Sequence, residues 1–156
     1  MKKILVAYYS RTGTTEKVAD FLAEALGAEC EAIKDTVDRG GAKGYIISGK
    51  EGMKRLLTQL QPTQKNIADF DLAIVGTPIW GWNMSSPMRT YLTEHKDEFK
   101  RVAFFCTMGG SGDNRAFSEM AAIIGKDPVA MLALTTKEVV KWSCEEKIKT
   151  FLEHVQ

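Results

Sequence analysis

The sequence predicts an α/β fold, a three-layer sandwich in which helices cover both faces of a five-stranded parallel sheet. Three observations carry this. Short, continuously apolar runs recur along the chain, the pattern of strands buried on both faces. Stretches with helical spacing alternate with them and supply the crossovers. The chain has 156 residues, enough for one such domain and its core, 1–156, and too few for two.

In order, Lys3–Tyr9 is the first apolar strand. Thr15–Leu26 follows as a helix, with Val18, Phe21, Leu22 and Ala25 on one face and Gly27 as terminator. Glu29–Ile33 is a more polar strand, Leu72–Gly76 and Val102–Cys106 are buried strands, and Val129–Leu134 is the fifth. Ser86-Pro87 opens a helix with Ser86 as cap and the proline at the first helical position. Asn114–Ile124 turns Phe117, Met120, Ala121 and Ile124 to one side and stops at Gly125. Ser143-Cys144-Glu145-Glu146 reads as a capping box before the stripe Ile148, Phe151, Leu152, Val155. Asp35–Gln64, with five glycines, reads as a long loop carrying one helix around Glu51–Leu60.

Composition removes several functional classes. Net charge is +1, which gives no global attraction to nucleic acid or to anionic membrane. No apolar run reaches transmembrane length, and the run Ile4–Ala7 is too short for a signal peptide, so the expected location is cytoplasmic. Cys30, Cys106 and Cys144 lie far apart with no Cys-x-x-Cys pair, against a disulfide framework, zinc or an iron–sulfur cluster. His95 and His154 sit in charged, helix-like stretches and read as solvated surface. Gly44–Lys50 fits most of a phosphate-binding P-loop, but Glu51 stands where a hydroxyl must reach Mg²⁺. Neither a dinucleotide glycine fingerprint nor a nucleophile elbow is present, so no catalytic residue is assigned.

Ligands of open parallel sheets sit beyond the carboxyl ends of the strands, which singles out three loops. The first is Ser10-Arg11-Thr12-Gly13-Thr14-Thr15, leading directly into a helix. Its four hydroxyls, its glycine and the free N–H groups of the helix start make a cradle for an anion, phosphate above all. The second, Thr77-Pro78-Ile79-Trp80-Gly81-Trp82, offers two indoles suited to stacking on a planar ring. The third, Thr107-Met108-Gly109-Gly110-Ser111-Gly112-Asp113, lets backbone amides approach a ligand's polar edge.

With these loops at these strand ends, the chain resembles the flavodoxin superfamily over essentially its whole length, and the compact bacterial members most. The resemblance implies the sheet order 2-1-3-4-5 and bound FMN. Ser10, Thr12, Gly13 and Thr15 match the family's phosphate loop, with Thr14 between them and Arg11 beside them. The aromatic that stacks on the isoalloxazine falls to Trp80, with Trp82 as the alternative, and Thr107–Asp113 covers the pyrimidine edge. Unlike many acidic electron carriers the chain is neutral, and its third loop has no aromatic residue.

Two functions are compatible with these residues. In the first, the protein is a low-potential one-electron carrier, its partners being redox proteins or a small electron acceptor. In the second, it is an FMN-dependent NAD(P)H:quinone-type oxidoreductase. There the basic excursion between Lys34 and Lys65 would receive the nicotinamide cofactor's phosphates. The carrier is the favoured expectation, and neither nucleic acid nor membrane is an expected partner.

Overall fold

The structure, a computed structural model, describes residues 2–156. It contains the strands β1 (Ile4–Tyr8), β2 (Glu29–Ala32), β3 (Leu72–Trp80), β4 (Asn83–Met84), β5 (Val102–Met108) and β6 (Met131–Thr135). The helices are α1 (Thr14–Leu26), α2 (Gly41–Met53), α3 (Ser86–His95), α4 (Asp113–Ile124), α5 (Thr136–Lys141) and α6 (Glu145–Val155). The sheet runs β2-β1-β3-β5-β6 with every pairing parallel. With the two-residue β4 set aside, this is the expected order 2-1-3-4-5.

The sheet separates two apolar layers. Val6, Ile74 and Phe105 point to one face, where Val18 and Leu22 of α1 and Ile148 and Phe151 of α6 close over them. Leu5, Val75 and Phe104 point to the other, under Met88 and Tyr91 of α3 and Phe117 and Met120 of α4. Alternation along each strand splits the residues between faces, and burial on both explains the unbroken apolar runs. Gly76 lies in β3 because the Phe105 ring occupies the space a side chain would fill.

Four local expectations are corrected. The helix expected around Glu51–Leu60 instead occupies Gly41–Met53. Its glycines hide it from a propensity reading, yet Gly44 packs on the Arg39 backbone and Gly52 on the Trp80 carbonyl, where any Cβ would overlap. The capping box lies not at Ser143 but at Thr135, whose side chain and that of Glu138 bond reciprocally to start α5. Helix α6 begins after Cys144 without a side-chain cap. Ser85 rather than Ser86 caps α3, accepting the Met88 N–H at 3.3 Å. Finally, β3 does not stop at Gly76 but runs on to Trp80, turns tightly, and pairs with antiparallel β4 through Trp80 and Asn83.

Candidate functional site

The loops after β1, β3 and β5 border one cleft of about 640 Å³ at the carboxyl edge of the sheet. A separate hollow of about 440 Å³ lies along β6 and α6, away from that edge.

The first loop gives the cleft Ser10, Arg11, Thr12, Thr14 and Thr15. Gly13 precedes α1 with φ of 98°, a left-handed turn that glycine adopts without strain, and lies off the cleft wall. The Ser10 hydroxyl accepts the Gly13 N–H at 3.0 Å, fixing the turn. Thr15 is buried and pairs its hydroxyl with that of Thr107 at 2.8 Å, joining the first loop to the third. No side chain caps α1, and the first backbone bond of the helix comes from the Lys17 N–H to the Gly13 carbonyl. The amides of Thr14, Thr15 and Glu16 therefore stay open at the positive end of the helix, beside the Thr12 and Thr14 hydroxyls.

The second loop gives Pro78, Ile79, Trp80, Gly81 and Trp82. Gly81 and Trp82 have φ of 55° and 64° and occupy the centre of the β3–β4 hairpin, the backbone pattern that matches strand twist. For tryptophan that conformation is strained. The two indoles play opposite parts. Trp80 is 8 % exposed, edge-on to Tyr9 at 5.4 Å, with the Arg39 guanidinium 4.9 Å from its ring centroid. Trp82 is 58 % exposed at the cleft rim. The free indole face thus belongs to Trp82, whereas the sequence favoured Trp80 as the platform. Thr77 also lies off the wall: its hydroxyl accepts the Ser85 N–H at 3.0 Å beneath the turn.

The third loop gives Thr107, Met108, Gly109, Gly110 and Ser111. Gly112 and Asp113 lie outside the lining. Gly112 packs on Ile79 and on the backbone of Trp82 at φ of 109°, and Asp113 is the first residue of α4. A carboxylate there favours the helix dipole.

The remaining wall is α2, which the sequence reading did not include. Tyr45, Ser48, Gly49 and Met53 line the cleft, and Thr136 closes it from the start of α5. The spacing Tyr45–Gly49–Met53 is one face of a helix and is the signal by which they could have been found. Beneath this wall lies a buried ion cluster. Arg39 donates to Asp35 at 2.7 Å and 2.9 Å, to Glu51 at 2.8 Å and to Ser48 at 3.1 Å, and Ser86 donates to Glu51 at 2.6 Å. Burial raises the Glu51 pKa, but the bonds from Arg39 and Ser86 outweigh it and hold the carboxyl below its ordinary value. Arg11 donates to the Arg39 carbonyl at 2.7 Å and spans from the first loop to this wall. Burial, with Asp35 adding, pushes the Tyr9 hydroxyl up to about 12 and keeps it neutral.

The other reactive side chains stand apart. Burial pushes the Cys106 thiol up to about 12, so it remains a protonated packing residue. His95, the last residue of α3, is bonded to Glu98 beyond the helix, and His154 lies on α6. Among the described residues no cluster of His, Cys, Asp or Glu could hold a metal ion, and no helix is long and apolar enough to cross a membrane.

Comparison with known proteins agrees with this fold. The chain is similar to a flavoprotein of Lactobacillus acidophilus NCFM in complex with FMN, at 25 % identity and a TM-score of 0.73, over 92 % of this chain and 99 % of that one. A Bacteroides eggerthii DSM 20697 protein superposes with a TM-score of 0.71 at 24 % identity, over 91 % and 96 % of the two chains. The flavodoxin, WrbA-like protein of Agrobacterium tumefaciens shares the fold at 13 % identity and a TM-score of 0.54, over 99 % of each chain. The flavodoxin family matches residues 3–155, nearly the whole chain. This chain belongs to the flavodoxin family.

Proposed function

We propose that this protein binds FMN non-covalently in the cleft and carries electrons between redox partners. The observation behind the reading is the open start of α1, where three amides and two hydroxyls converge with no protein acceptor among the described residues. A dianionic phosphate satisfies these donors together. Trp82 at the opposite rim supplies an indole face for the ring, and the amides of Gly109 and Gly110 are free to approach its polar edge. The FMN held by the Lactobacillus acidophilus relative supports the same ligand here. When bound, FMN supplies a ring that accepts and releases electrons singly or in pairs. The chain's own part is to bind the phosphate, sandwich one face of the ring against Trp82 and limit water at the cleft floor.

The second reading, an NAD(P)H-dependent reductase, draws on the third loop, which has no aromatic residue to cover the outer ring face. Its other support is weakened. Of the basic residues between Lys34 and Lys65, Arg39 is buried in the ion cluster, Arg55 pairs with Glu119 at 2.8 Å, and Lys65 pairs with Glu29 at 2.8 Å. Lys43, Lys50 and Lys54 form no ion pair among the described residues but lie outside the cleft lining. The carrier therefore remains the better account. Anaerobic stopped-flow mixing of the oxidised, FMN-loaded protein with NADH or NADPH tests it. A carrier keeps its yellow absorbance over seconds to minutes; bleaching at turnover rates of about 1–10³ s⁻¹ establishes the reductase instead.

A further inference from the structure

Ten large apolar side chains are exposed on the described chain, and six of them lie on α2, just after it or on the turn beside it: Tyr45, Ile46, Met53, Leu56, Leu57 and Trp82. Trp82 lies on the turn that packs against α2, where Gly81 meets the Gly49 carbonyl and Met53. Tyr45, Met53 and Trp82 line the cleft that FMN fills, which leaves Ile46, Leu56 and Leu57 outside it. Ile46, Leu56 and Leu57 therefore stay exposed beside the filled cleft, and apolar side chains gathered at such a place mark an interaction site.

The helix orders this surface. At 100° per residue Tyr45, Gly49 and Met53 form its cleft-side edge, Ile46 comes next, and Lys43, Lys50 and Lys54 form the outer row. None of the three lysines has a carboxylate within 4.0 Å among the described residues. The neighbouring acids are engaged elsewhere. Glu51 turns inward to Arg39, Glu119 accepts from Arg55 and Asn83, and Asp38 accepts the Gly40 N–H. An apolar centre with an unopposed basic rim therefore begins at the mouth of the cleft.

We propose that this outer face of α2, with Leu56 and Leu57 just after it, docks an acidic one-electron partner protein. The proposal rests on the FMN-carrier reading. Apolar side chains at the centre and charge at the rim are the anatomy of a transient interface, and the lysine row selects a partner rich in Asp and Glu. A second copy of this chain is disfavoured, because a twofold contact through the same face brings both lysine rows into one interface. Docking here sets the partner's redox group against the cleft rim, the shortest route to the ring.

Cytochrome b5, an acidic haem protein, and cytochrome c, a basic one, serve as probes. The FMN-loaded protein is reduced by dithionite, and one electron then passes to each ferric haem as the flavin is oxidised in one-electron steps. In stopped flow at low ionic strength, the triple variant K43E/K50E/K54E should lose at least about tenfold in second-order rate with cytochrome b5 and gain with cytochrome c. The rates should converge with those of the parent near 1 M salt, where the Debye length is about 3 Å. Ile46→Ser, which leaves the charge unchanged, should slow cytochrome b5 at every salt concentration. Equal rates for parent and triple variant, both loaded with FMN, overturn the proposal. So does co-sedimentation of the parent with phosphatidylserine vesicles that the triple variant loses, which assigns the face to a lipid surface. Failure of the parent to bind FMN is a different result and strikes the carrier reading itself.

Discussion

The α1 and α2 walls face each other across one cleft, yet they are attached to the sheet by different physics. Helix α1 buries Val18, Ala19, Leu22 and Ala23 in an apolar layer and keeps its polar start for a ligand. Helix α2 buries Gly44, Ser48 and Gly52, lies on main chain rather than on side chains, and is tied down by Arg39 and Glu51. Apolar burial tolerates small errors by repacking. Backbone contact and buried charge do not, because a methyl group or a missing partner has nowhere to go. The α2 wall should therefore be the more sensitive to single substitutions, although it buries less apolar area.

The largest expected effect follows from the ion cluster. Arg39→Met leaves Asp35 and Glu51 without their cation and should cost about 3–5 kcal/mol in urea unfolding. A loss below about 1 kcal/mol means that solvent reaches those carboxylates and that α2 is held otherwise. Next comes a pair of glycines on the same helix. Gly52→Ala pushes a methyl into the Trp80 carbonyl and should destabilise by about 1–3 kcal/mol. At Gly49 an added Cβ meets open space, and Gly49→Ala should be neutral or stabilising by up to about 1 kcal/mol. Equal effects at the two sites would contradict the packing described for α2.

These contrasts explain what the sequence disclosed. The strands, the first loop and α1 were legible because apolar periodicity and hydroxyl spacing encode them directly, while the strand order followed from the resemblance to the flavodoxin superfamily. Helix α2 was not, since Gly44 and Gly52 lower helix propensity for a tertiary reason, contact with the backbones of Arg39 and Trp80. The α5 capping box was missed because Thr135 is itself the last residue of β6, with no loop to announce a helix. The basic excursion looked like a ligand patch, and only the fold shows that Arg39 is structural. For the tryptophans, the sequence identified a stacking loop but could not orient it. The hairpin at Gly81 and Trp82 decides that Trp80 faces the core and Trp82 the solvent.

That orientation carries a cost that can be measured. Trp82→Asn puts a residue that tolerates left-handed backbone at φ of 64°. The apoprotein should gain about 1 kcal/mol, or roughly 2–4 °C in Tm. At the same time FMN affinity should fall and flavin fluorescence should rise. Trp80→Phe should instead leave fluorescence quenching intact and lower Tm. If quenching follows Trp80 rather than Trp82, the platform assignment is reversed.

The smallest effect is on pH dependence. The Glu51 pKa in the folded protein lies below its unfolded value, so Glu51 stabilises the fold above the ordinary carboxylate range near about 4.3. That contribution is lost as pH falls through the lowered folded value. Glu51→Gln should be less stable than the parent at neutral pH and should show a shallower decline on acidification. Parallel acid profiles for the two proteins would remove Glu51 from the account of the α2 wall.

The claim that the open start of α1 binds a phosphate is tested most directly by isothermal titration of FMN against riboflavin, which differ by that group alone. Charge-assisted hydrogen bonds contribute about 1.5–3 kcal/mol each, so FMN should bind at least about a hundredfold more tightly. Thr12→Val should lower FMN affinity by roughly ten- to a hundredfold and leave riboflavin unchanged. Equal affinities for the two ligands, or equal losses in the variant, contradict the phosphate site and with it the orientation of FMN in this cleft.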